Sequence, residues 1–135
     1  MRRERDSVKA LILFSSALEA GTGLGLMVDP ALVVKLLLHV QATDIDILIG
    51  RCFGVALLAL AAACWPKGQH FDNRASSVLG LSIYNPLVAA VLAYHAWTAA
   101  GPNVLLWSVV ALHAVIGILL PWAGRTESRV KGAAN

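Results

Sequence analysis

Four apolar runs, each about twenty residues long, leave this chain few folds to choose from. A helix rises about 1.5 Å per residue, so a run of that length crosses the ~30 Å hydrocarbon core of a bilayer. The runs lie at about residues 8–28, 45–66, 75–98 and 104–122. Backbone in lipid must satisfy its own hydrogen bonds, and a helix does so within a single segment. The expected fold is therefore all-α and membrane-embedded, with four transmembrane helices in an antiparallel bundle and a short interfacial helix between helices 1 and 2. They form one domain over residues 1–135. Composition agrees: 58% of the residues are hydrophobic and 14% charged, where a soluble domain has roughly half and a quarter.

Two ionisable residues interrupt these runs, Glu19 in the first and Arg51 in the second. A charge inside a span is costly, faces protein or water rather than lipid, and generally has a partner. Depth measured from the outer helix ends puts Arg51 at ~9 Å, Glu19 at ~14 Å and His113 of the fourth run at ~15 Å. Asn85, in the third run, lies deeper at ~20 Å. Glu19, Arg51 and His113 thus fall in one layer, which predicts a polar cavity opening outward with Asn85 beneath it. A Glu19–Arg51 ion pair that merely sets helix register fits the same spacing. Hydrogen bonds to neighbouring helices would equally account for His113 and for Tyr84-Asn85.

Local signals place the ends of the elements. Asp6 or Ser7 is positioned to cap a helix beginning at Val8. Asp29-Pro30 ends the first span and starts a second, short helix over about residues 30–40. That segment, ALVVKLLLHV after its proline, is too short to span. Its Lys35 and His39 share a face, as expected of a helix in the outer interface or of a lid over a cavity. Thr43 and Asp46 have capping-box spacing at the start of the second span. Gly21/Gly25 and Gly50/Gly54 are small-residue pairs that let another helix come close. Pro86 removes a backbone donor in the third span and favours a kink. Residues 99–103, AAGPN, form a tight turn, while His39, His70 and His95 read as interface residues.

The head, the loop at Lys67–Arg74 and the tail hold nine of the eleven basic residues, counting Lys9 with the head. With four spans these three segments share one face, which the positive-inside rule makes cytoplasmic, N- and C-termini included. The same rule explains the net charge of +3 without invoking nucleic acid, because the basic residues flank the spans and form no patch. The basic start followed by an apolar run has the outline of a signal peptide. Glu19 breaks that run and no clean A-x-A site follows, so it is read as a retained first span. Cys52 and Cys64 are ~18 Å apart along one helix, beyond disulfide reach.

No HExxH, paired-cysteine motif, phosphate loop or nucleophile triad is visible, so no metal or other cofactor is expected. A bis-histidine haem would need His95 and His113 at matching depth, and they differ by ~9 Å. Glu19 and His113 are the acid/base pair available if the chain is an enzyme. Nothing else in the sequence argues that it is one.

A Gly-rich first span ending in Asp29-Pro30, a short helix, Arg51-x-x-Gly54, a mid-span Tyr84-Asn85 and a late His113 together resemble small bacterial four-helix integral membrane proteins of the DoxX-like group. The likeness covers most of the chain and is one of layout. It implies a four-helix bundle in the bacterial inner (cytoplasmic) membrane and no settled activity. The function expected from the residues is binding of a small amphipathic or lipid-like ligand in the outward-facing cavity. Arg51 would hold an acidic or polar head, with Glu19, Asn85 and His113 around it. The alternative is a structural or accessory subunit docked to a membrane-protein partner, or a homo-oligomer, through the glycine faces.

Overall fold

A computed structural model describes residues 2–66, 74–98 and 103–132, with side chains described for 6–66, 74–98 and 103–125. The loop at 67–73 with His70, and most of the turn at 99–103, lie outside the described residues. The described elements are all helical: α1 (Arg2–Val28), α2 (Pro30–Leu38), α3 (Asp44–Cys64), α4 (Arg74–Thr98) and α5 (Val104–Gly132). Four of them, α1, α3, α4 and α5, are long and apolar enough to cross a membrane. Only 22–33% of each apolar window is buried within the protein, so most of the apolar surface points outward. Phe14, Leu48, Val91, Ile118 and Trp122 are among the exposed side chains, as a lipid environment requires.

Capping follows from local chemistry. Asp29 accepts from the Leu32 N–H at 2.9 Å, with Pro30 in the first turn of α2. His39 ends α2 in the left-handed region at φ 56°, its N–H donating to the Lys35 carbonyl. The capping box at α3 is complete: Asp46 N–H donates to Thr43 Oγ1 at 3.4 Å and Thr43 N–H to Asp46 Oδ2 at 2.8 Å. The expected cap at Asp6 or Ser7 is corrected, since α1 already begins at Arg2. The charged head contains good helix formers and extends the helix past the apolar run.

Helix packing is uneven. α1 lies chiefly on α3 and α4 on α5, and the two pairs meet mainly along α1 and α5. The α1–α3 contact is tight because glycines meet there. A Cβ on Gly54 would sit 2.8 Å from the Gly23 carbonyl oxygen, and one on Gly23 2.9 Å from that of Gly54. Gly50 is equally close to Pro30, so the start of α2 is seated on α3. Sequence spacing assigned the α1 contact to Gly21 and Gly25. A Cβ on Gly21 would meet nothing within 4 Å, and one on Gly25 only Val33 at 3.5 Å. Gly23 is the residue of this segment that turns towards α3. On the other pair, α4 runs on through Pro86, whose ring lies against Gly117 of α5.

Away from α2 the bundle is closed by a hydrophobic core of Val8, Ile12, Cys64, Leu81, Ile116 and Leu120. Towards α2 it opens. Asn103 Nδ2 donates to the Leu37 carbonyl, and its Oδ1 accepts from the Leu106 N–H at 2.9 Å, so one residue caps α5 and ties down the end of α2.

These contacts predict opposite outcomes for two glycines. Gly54→Ala should cost about 1–3 kcal/mol, because backbone must move to admit a methyl group. Gly21→Ala should be neutral or slightly stabilising, as alanine favours helix. Thermal unfolding in detergent, followed by circular dichroism, measures both.

Candidate functional site

The polar residues of the bundle gather where its apolar core ends. Ser15, Ser16 and Glu19 lie three and four residues apart and so share one face of α1. All three are buried, Glu19 being 1% exposed. The face meets Asn85 of α4, whose Nδ2 donates to the Leu81 carbonyl at 2.9 Å and to Ser15 Oγ at 3.4 Å. One turn further along α1, a side-chain hydrogen bond joins the Tyr84 hydroxyl to the Glu19 carboxylate. His113 of α5 comes in from the other side, with Nε2 3.7 Å from Glu19 Oε1. The Tyr84 and His113 rings lie with centroids 6.2 Å apart, tilted by 58°.

The proton on His113 is located by its surroundings. Nδ1 is 2.9 Å from the Val109 carbonyl, which only accepts, so Nδ1 carries the hydrogen. Nε2 is the ring nitrogen that faces Glu19. At 3.7 Å the two atoms are in electrostatic contact but beyond hydrogen-bonding distance. Glu19 Oε1 has no hydrogen-bond partner and is fully buried.

Above this cluster is a partly open cavity of about 810 Å³. Its wall is hydrocarbon from all five helices, including Leu18, Val33, Phe53, Val88 and Leu112. Gly21 and Gly25 also line it, so the room they leave on α1 is cavity rather than helix contact. Tyr84 and His113 are exposed to it, together with Thr22. Glu19 sits behind them.

Of the four site residues expected from sequence, the structure brings Glu19 and His113 into contact and places Asn85 one turn away. Arg51 is not with them. It is exposed on α3 and makes no ion pair with Glu19. The depth estimate was sound for layer but silent on direction. Gly50 must face α1 and Pro30, and one further residue turns the helix by about 100°. That rotation carries Arg51 off the packed face. Sequence reasoning also missed Ser15, Ser16 and Asn103. Serines at i−4 and i−3 from Glu19 were a readable signal, as was Asn103 immediately before an apolar run. Cys52 is exposed and Cys64 buried, and both are free. Among the described residues no group of three His, Cys, Asp or Glu side chains is placed to hold a metal ion.

Comparison with known proteins adds no relative: no family model matches the chain, and neither a curated protein nor a solved structure does.

The pairing predicts an energetic signature. In a double-mutant cycle, Glu19→Leu and His113→Leu should be coupled by about 1–3 kcal/mol. Glu19→Leu and Arg51→Leu should add within about 0.5 kcal/mol. Equilibrium unfolding in mixed detergent micelles reads both cycles. Strong coupling to Arg51 would show the pairing described above to be wrong.

Proposed function

We propose that this chain is a multi-pass membrane protein that holds a lipophilic small molecule in the cavity at the α2 end of its bundle. The observation that carries the reading is the cavity itself, about 810 Å³ of apolar space floored by Tyr84 and His113. Pockets that enclose small ligands measure roughly 300–1,000 Å³ and combine mostly apolar walls with a few placed polar groups. The proposed topology has four antiparallel spans, with the basic head, middle loop and tail on the cytoplasmic side of a bacterial inner membrane. α2 then lies in the outer interface, its exposed Lys35 towards headgroups and its Val33 and Leu37 over the cavity. In this reading Arg51 takes no part in ligand contact, and the head of the ligand is met by His113 and Tyr84.

Arg51 supports a second reading, a structural or accessory subunit of a larger membrane complex. An exposed arginine within a span either snorkels to the headgroups or meets a partner. If it meets one, Arg51→Leu should release that partner during gentle extraction while leaving any cavity ligand bound.

Native mass spectrometry of full-length protein extracted in mild detergent tests the first reading. The wild type should carry a reproducible small molecule, and Val88→Trp, which fills the cavity, should lose it while keeping its helical content. A wild type without bound molecule, or an unchanged mass on Val88→Trp, would overturn the proposal.

A further inference from the structure

The chemistry at the cavity floor narrows what the occupant can be. Among the described residues that line the cavity there is no lysine or arginine. Lys35 is exposed on the other face of α2, and Arg51 is exposed on α3. A carboxylate or phosphate head would therefore enter apolar space with no cation to meet it except His113. His113 itself already faces the Glu19 carboxyl group. Burying an unpaired ion in such a place costs several kcal/mol. An ammonium head fares no better, since the carboxylate that would attract it is 1% exposed and screened by Tyr84 and His113.

The free hydrogen-bonding positions are more specific still. Tyr84 spends its O–H on Glu19, which leaves its oxygen able to accept. His113 spends its Nδ1–H on Val109, and Nε2 is too far from Glu19 to be hydrogen-bonded to it. When Nε2 is protonated it has a hydrogen to give. Both residues line the cavity, with rings 6.2 Å apart, so a single head group can reach both. Filling both positions takes one atom that donates to Tyr84 and accepts from His113. A hydroxyl does both. A ketone or ether oxygen can only accept, and leaves the acceptor position of the Tyr84 oxygen unfilled.

We propose that the occupant is a lipid alcohol, an uncharged long-chain or polycyclic lipophile whose hydroxyl bridges Tyr84 and His113 on the cavity side of Glu19. This rests on the cavity being a binding site. Glu19 is a positioning residue here, since it accepts from the Tyr84 hydroxyl and does not line the cavity. The hydroxyl also serves the other protonation state, in which Nε2 is bare and accepts the hydrogen that Tyr84 would otherwise receive.

The test compares four probes of one chain length on the full chain in nanodiscs: hexadecanol, its methyl ether, hexadecanoate and hexadecane. Binding is read by displacement of radiolabelled hexadecanol, with Val88→Trp as the filled-cavity control. Hexadecanol should bind about tenfold more tightly than the ether or the alkane. Hexadecanoate should be weaker than hexadecanol at neutral pH. Tyr84→Phe should remove most of the preference for alcohol over ether while leaving alkane binding unchanged. Equal affinity for alcohol and ether, or tighter binding of the acid, would overturn the lipid-alcohol assignment while leaving the cavity as a binding site. Absence of labelled hexadecanol binding that Val88→Trp abolishes would overturn both. The wild-type ranking of the probes stands whatever the variants do to folding.

Discussion

A carboxylate in the middle of an apolar helix must be met by the protein's own polar groups, and much of this bundle is arranged around meeting Glu19. Lipid offers it nothing, so α4 and α5 bring Tyr84 and His113 to it from two directions. Ser15 and Asn85 continue the polar strip one turn deeper. The arrangement is incomplete, because Oε1 of Glu19, Oδ1 of Asn85 and Oγ of Ser16 are buried without hydrogen-bond partners.

The cavity beside that strip is a product of how the helices are spaced. Gly23 against Gly54 draws α1 onto α3, and Gly117 against the ring of Pro86 draws α5 onto α4. Each contact pulls two helices together, and no comparable contact pulls α1 onto α4. Away from α2 the space between the pairs is filled by Leu81, Ile116, Leu120 and their neighbours. Towards α2 the facing residues include Gly21 and Gly25, which leave it open. Asn103 holds the end of α2 over this opening by joining Leu37 to the first turn of α5. The same residue type, glycine, thus closes one side of α1 and opens the other, depending only on which way it faces.

That Glu19 and His113 come together was legible because ionisable groups in spans are conspicuous, and equal depth along neighbouring helices is simple arithmetic. Arg51 was as conspicuous and at similar depth, yet it points away. Tyr84 was read with Asn85 as a source of interhelical hydrogen bonds, and its contact with Glu19 depends on α4 packing beside α1. The glycine pairs divide in the same way. Gly50 and Gly54 make the close approach that their spacing suggests, and Gly21 and Gly25 do not.

The sequence alone determined how many helices are long and apolar enough to span, nearly where they end, and how α2 and α3 are capped. Those properties are local, fixed by runs of apolar side chains and by donors and acceptors within four residues of one another. The tertiary structure decided which side of each helix faces inward. That rotation is set by contacts between residues far apart in the chain, Gly23 with Gly54 and Pro86 with Gly117, where backbone comes too close for any side chain. About 100° of turn per residue separates a buried Gly50 from an exposed Arg51. For that reason the partners of Glu19 were decided by packing, and they are Tyr84 and His113.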